Sequence, residues 1–169
     1  MQLEKTKAVL RQYGKYVVQQ SRSRLTKGRN RRTHNATGSL YQSLEYELQQ
    51  DPNTLLVAFD MNDYGAYLDK GVSGTKQKYN TPFSYTSKKP PIKSLLSWIK
   101  TKRIRFRDKK GKFTKGTYKS IAFIMQNSIY KKGIKPTLFF TKPFEQAYVK
   151  YEKDILKAFL KDAQDSLGL

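Results

Sequence analysis

Residues 44–59 read LEYELQQDPNTLLVAF. Leu44, Tyr46 and Leu48 alternate with Glu45 and Glu47, the two-residue period of a half-buried strand. Asp51-Pro52-Asn53 breaks the pattern with three turn formers. Thr54-Leu55-Leu56-Val57-Ala58-Phe59 follows as a more continuously apolar strand. Two such runs around a short turn predict an antiparallel β-hairpin. The strong patterns on either side are helical, so this hairpin sets the fold class. It is α+β, a small antiparallel sheet packed by several helices, with an extended basic loop and hairpin arms.

Working outward, residues 2–25 carry Leu3, Leu10, Tyr13, Val17 and Leu25 at helical spacing among Lys, Arg and Gln. That stripe is thin, which predicts a helix lying on a surface. Residues 26–37 form a basic loop rich in turn formers, holding Arg29, Arg31 and Arg32. After the hairpin, residues 63–70 predict a short helix closed by Gly71, and 72–91 a long polar loop. Pro91 opens a helix whose face is Ile92, Leu95, Leu96 and Ile99, with Trp98 beside it. Arg103-Ile104-Arg105-Phe106-Arg107 alternates strictly, Asp108-Lys109-Lys110-Gly111 is a turn, and Lys112–Lys115 is a return strand. Residues 102–117 are therefore read as a basic hairpin arm. Tyr118, Ile121, Ala122, Met125 and Ile129 mark a helix ended by Gly133. Residues 136–140 are expected to be extended, with Thr141 capping the last helix. That helix has an apolar face of Phe144, Ala147, Tyr148, Tyr151, Ile155, Ala158 and Phe159.

The chain has 169 residues, which suits a single domain (1–169) with one core. Hydrophobic residues make up 37%, too few to fill that length, while aromatics reach 13% with 12 Tyr. Lys and Arg number 34 against 13 Asp and Glu, a formal charge of +21, so the natural partners are polyanionic. No run approaches the roughly 20 apolar residues of a membrane span, and the first residues lack the apolar run of a secretory signal. The glycosylation sequon Asn35-Ala36-Thr37 is accordingly expected to be idle. There is no cysteine, which removes disulfides and thiolate metal sites.

Catalysis is not expected. His34 is the single histidine and sits in the basic loop, so neither a Cys-His pair nor a rigid triad is available. Asp60, Asp63 and Asp69 could in principle hold a nuclease metal, but flanking a turn and capping the short helix is the simpler account. Residues 111–117 have the glycine spacing of a phosphate-binding loop yet lack the lysine after the second glycine. The stretch 63–74, DYGAYLDKGVSG, reads as a structural corner. Tyr64 and Tyr67 stand three apart, so one helix face could bury both.

Four segments, in order, resemble the phage tail-completion and head–tail joining (neck) protein family. Thr37-Gly38-Ser39-Leu40-Tyr41-Gln42-Ser43-Leu44 is similar to that family's T-G-x-L-x-x-S. Tyr64-Gly65-Ala66-Tyr67-Leu68-Asp69-Lys70-Gly71 is similar to Y-A-x-Y-x-E-x-G. Pro90-Pro91-Ile92 through Trp98-Ile99-Lys100 is similar to P-P-x-x-x-I-x-x-W-I, and Gly133-Ile134-Lys135-Pro136-Thr137-Leu138-Phe139-Phe140 to G-I-x-P-x-x-F-F. The resemblance implies a structural virion protein, assembled in the bacterial cytoplasm, with no enzyme activity and no cofactor. It implies a six- or twelve-fold ring of copies between portal or adaptor and tail proteins, with DNA passing through the channel. The chain departs from the family in its charge and in the basic insertions at 26–36 and 102–117.

The alternative is a sequence-nonspecific nucleic-acid-binding protein. Basic loops with aromatics can stack bases, and Tyr13, Tyr16, Tyr41, Tyr79, Tyr85 and Phe106 are available, although no helix-turn-helix or RNA-recognition signature is present. A metal-dependent nuclease is a third class. The candidate contact residues are Arg29, Arg31, Arg32, Arg103, Arg105, Arg107, Lys109 and Lys110. In the arm, Ile104 and Phe106 are expected to pack on the protomer or a neighbour, leaving Arg103, Arg105 and Arg107 facing an anion. Acidic protein in the neck is placed ahead of DNA.

Overall fold

The computed structural model describes residues 3–27, 38–52 and 54–168. The basic loop from 28 to 37, with Arg29, Arg31, Arg32, His34 and Asn35, and the turn residue Asn53 lie outside them. The elements are α1 (Glu4–Thr26), α2 (Ser39–Ser43), β1 (Glu45–Asp51), β2 (Thr54–Asp60), α3 (Tyr64–Lys70), β3 (Val72–Ser73), α4 (Ile92–Thr101), α5 (Tyr118–Lys132), β4 (Gly133–Ile134) and α6 (Thr141–Leu167). The fold class is α+β, as the hairpin predicts. Where one core was expected, the chain forms two compact units. Unit 1 is Met1–Asn62 with Leu138–Leu169, and unit 2, Asp63–Thr137, is inserted between them in the sequence.

In unit 1, β1 and β2 pair antiparallel with Tyr46 opposite Phe59, Leu48 opposite Val57 and Asp51 opposite Thr54. This is the register that puts the alternating apolar residues on one face. That face meets α1 and α6. Tyr13, Val17 and Ala147 are buried there, packed by Tyr16, Val57, Phe59, Phe140 and Tyr151. Tyr13 stands edge-on to Phe59, Phe144 and Tyr151 at 6.1, 6.2 and 6.1 Å. Such pairs each add about 0.5–1.5 kcal/mol beyond area burial. Gly14 lets the sheet approach α1, because a Cβ there would lie 2.3 Å from Cδ2 of Tyr46.

The expectation that α1 lies on a surface is overturned. Its buried face is Thr6, Tyr13, Gly14, Val17, Val18, Ser21 and Leu25. Small and polar residues complete the stripe, so a count of hydrophobic side chains passes over it. One of them is held by a carboxylate from the far end of the chain. Asp162 of α6, only 3% exposed, accepts hydrogen bonds from Thr6 N (2.8 Å), Thr6 Oγ1 (2.7 Å) and Lys5 N (3.1 Å). Leu3 at the N-cap has no side-chain acceptor, so Asp162 serves the orphan amides of the first turn. Burial pushes the Asp162 pKa up, but the Thr6 and Lys5 hydrogen bonds outweigh it and leave the carboxyl below its ordinary value.

The approach to α6 also differs from expectation. Leu138 is left-handed at φ 51, and residues 139–140 form a turn, so 136–140 is not a continuous extended run. Phe140 takes the N-cap and Thr141 is the first helical residue. The reason is burial, because Phe139 is 1% exposed and the turn delivers its ring inward.

In unit 2, Ile99, Ile121 and Ala122 are buried between α4 and α5, with Ile92, Leu95, Leu96, Ile104, Phe106, Tyr118 and Met125 around them. Gly71 and Gly133 close α3 and α5, both at φ 75; β3 follows Gly71 and pairs with β4, which begins at Gly133. Neither glycine can carry a Cβ, which at Gly71 would lie 2.6 Å from Ile134 O and at Gly133 2.1 Å from Val72 O. Thr137 Oγ1 donates to Leu68 O at 2.8 Å. The corner at 63–74 is therefore held by close backbone packing. It does not bury the two tyrosines, however. Tyr64 and Tyr67 are 47% and 46% exposed, and α3 buries Gly65 and Asp69 instead. Asp63 occupies the N-cap without a side-chain cap hydrogen bond, and Asp60 accepts from Met61 N. The polar loop at 72–91 is tied to the corner, with Tyr85 N donating to Ser73 O, Ser73 N to Phe83 O and Lys76 N to Lys131 O.

Candidate functional site

The arm after α4 is built from its anchor outward. Arg103 adopts φ 50 and Ile104 N donates back to Ile99 O, which turns the chain off the helix. Ile104 and Phe106 then enter the unit 2 core. Gly116 admits the Phe106 ring, since a Cβ there would be 2.2 Å from it. The inward half of the alternation therefore packs on its own unit. Gly111, at φ 81, donates to Asp108 O, and Asp108 N donates to Lys112 O. Asp108 Oδ1 accepts from Lys112 N. The turn falls on 108–111 as expected, but regular pairing is limited to a bridge between Arg107 and Phe113 and a Thr114 N to Phe106 O bond. The arm is a short hairpin, because its inward residues serve the core of the unit and not a sheet.

The outward half carries the charge. Arg103, Arg105, Arg107, Lys109 and Lys110 are all exposed. Phe113, which sequence reasoning passed over, is 60% exposed and organises two of them. Arg107 Cζ lies 4.1 Å from its ring centroid and Arg105 Cζ 5.9 Å, cation–π distances that hold otherwise mobile side chains. Arg107 Nη1 also donates to Gly111 O at 2.9 Å. The alternation of Arg and apolar residues gave the charges, and Lys112-Phe113 in the return strand was the unused signal for the platform.

Charge is divided between the units. Unit 2 holds 19 Lys and Arg against three Asp, a net of +16, whereas unit 1 holds 15 against ten acids, a net of +5. Of the three Asp in unit 2, Asp69 is buried and Asp108 is engaged by its turn. A second basic group lies at the end of α5, where Lys76 is bonded to Lys131 by its backbone and Lys89 Nζ sits 5.8 Å over the Tyr130 ring. Tyr85 is beside Tyr130 at 6.4 Å, and burial pushes its phenol pKa up. Of the aromatics expected to be free for stacking, Tyr13 is 6% exposed in the unit 1 core and Phe106 packs in the unit 2 core. Neither is available.

Unit 1 offers an apolar surface. Between α1, the hairpin tip and α6 runs a groove of about 800 Å³ lined by Leu3, Leu10, Leu55, Ile155, Leu156 and Phe159, among others. Further along α6, Val149 is 73% and Leu160 53% exposed. The helix is apolar on more than the face read from the sequence, and Val149, Leu156, Leu160 and Leu167 at steps of seven and four were the missed signal.

Among the described residues no group of three or more His, Cys, Asp or Glu could hold a metal ion. No helix among them is long and apolar enough to cross a membrane. No protein-family model matches the chain, and no curated protein and no solved structure matches it either.

Proposed function

We propose that the chain is a structural virion protein of a tailed phage, a subunit of the head–tail connector ring or of the completed tail. The observation that carries this reading is the position of the four neck-like segments at successive helix boundaries. The first has Gly38 at φ 84 as the N-cap of α2, and the second closes α3 at Gly71. The third opens α4 behind the buried Pro90. The fourth runs from Gly133 through the left-handed Leu138 into α6. The second and fourth meet where Thr137 N and Thr137 Oγ1 both donate to Leu68 O. Residue patterns at such corners shape a protomer and leave its surface free to vary. The groove and the exposed α6 row of unit 1 support the same reading, because surfaces of this kind complete their burial against a neighbour. The ring partners are further copies of the chain and the portal or tail proteins above and below.

Deleting the gene from the phage that encodes the chain tests this. Filled heads and tails that fail to join, restored by the chain supplied in trans, are the expected outcome. Normal infectious particles without the chain would overturn it.

A further inference from the structure

We infer that the arm of unit 2, centred on Arg105, Arg107, Lys109, Lys110 and Phe113, is a sequence-independent binding site for nucleic acid. This goes beyond the structural role and does not rest on it, because the isolated chain should show it. The first ground is electrostatic. A net of +16 on 75 residues is distributed as 16 Lys and three Arg, and no acid stands between Asp69 and Asp108 or after Asp108 in the unit. A cation array this uniform matches a partner with charge repeated at short intervals along its length, which a phosphodiester backbone has. An acidic protein face, placed ahead of DNA on the sequence alone, presents fewer and more scattered carboxylates. This chain's own outer hairpin face offers Glu45, Glu47 and Asp60.

The second ground is preorganisation. Ile104 and Phe106 fix the base of the arm in the core. Asp108 and Gly111 close its turn. Phe113 holds Arg107 and Arg105 over its ring while staying 60% exposed. Exposed aromatics beside guanidinium groups are stacking platforms for unpaired bases, and lysines follow the backbone on either side. A solvated hairpin has no need of this arrangement. The chemistry thus fits phosphates for all nucleic acids, with an added stacking contact for single strands.

The test is fluorescence anisotropy of the purified chain with 20-nucleotide DNA of several sequences, single- and double-stranded, from 50 to 200 mM salt. Polyglutamate of equal charge serves as the rival ligand. If Arg103, Arg105, Arg107, Lys109, Lys110 and Lys112 each neutralise a phosphate, log affinity for duplex falls against log salt with a slope of about −5, a loss of about a thousandfold over that range. Replacing Arg105, Arg107, Lys109 and Lys110 together with Gln is expected to reduce the slope by about 3 to 4. Replacing Lys153, Lys157 and Lys161 of α6 with Gln should change it by less than about 1. Phe113→Ala is expected to weaken single-strand binding by about five- to a hundredfold beyond its effect on duplex, which loses only the ordering of Arg105 and Arg107. The four substituted side chains are exposed, so an unchanged thermal midpoint confirms that the variant is folded. An unaltered slope in the arm variant, or polyglutamate binding as tightly as DNA, would overturn the proposal. Equal loss for both DNA forms in Phe113→Ala would remove the stacking contact.

Discussion

Replacing Asp162 with Ala should loosen unit 1 from the end of α6 far from its aromatic core. The carboxylate accepts from Thr6 N, Thr6 Oγ1 and Lys5 N. Losing one capping bond costs about 0.5–2 kcal/mol. Thr6 is 4% exposed, so its second donor is also left without water, at about 1–3 kcal/mol. Lys5 is exposed, and its amide can turn to solvent at little cost. The expected loss is about 2–4 kcal/mol. For a chain of this size that lowers the melting midpoint by roughly 5–15 °C. The pH dependence carries the sign. The native pKa of Asp162 lies below its unfolded value, so the contribution is fully present above the unfolded value near pH 3.9 and fades as pH falls through the native one. The assay is urea unfolding followed by far-ultraviolet circular dichroism from pH 3 to 7, with wild type, Asp162→Ala and Asp162→Asn. Asn retains an acceptor oxygen and should lose less, but the acid-dependent part of this site disappears in both variants. A loss below about 0.5 kcal/mol at pH 7, or an unaltered acid limb, would refute the reasoning.

Gly133→Ala places a Cβ 2.1 Å from Val72 O at φ 75; the left-handed penalty alone is about 1–2 kcal/mol, and greater loss is expected, read as a lowered urea midpoint. Val149→Glu with Leu160→Glu changes side chains that are 73% and 53% exposed, so the isolated chain should keep its stability within about 0.5 kcal/mol. The same pair should fail to restore particle assembly in a complementation assay. Incubation with Mg²⁺ or Mn²⁺ and plasmid or RNA should give no cleavage. Cleavage abolished by Asp60→Ala, Asp63→Ala or Asp69→Ala would reverse the non-enzymatic reading.

How far the sequence carried the fold depended on whether the information was local. The 44–59 hairpin was legible because its period, its turn formers and its flanking residues all agree, and the register follows from them. Gly71 and Gly133 were legible as helix ends because left-handed backbone favours glycine. What failed was tertiary. The buried face of α1 includes Thr6, Gly14 and Ser21, residues whose burial depends on Asp162 and Tyr46 from distant parts of the chain. Thr141 has the chemistry of a cap, yet burial of Phe139 moves the helix start back one residue. Tyr64 and Tyr67 share a helix face, and spacing alone cannot say whether that face meets a core. In the arm, alternation separated anchor from charge correctly. Where the charge concentrates depends on the division into units, which places +16 of it in unit 2.

The most direct measurement of the central claim is an electron-microscopy reconstruction of the intact particle, fitted with units 1 and 2 as separate bodies. The account predicts a closed six- or twelve-fold ring of this chain at the junction of head and tail, with the same interface repeated head-to-tail around it. Particles that lack the chain at that junction, or that carry it as a scattered monomer or an isolated two-fold dimer, would contradict it.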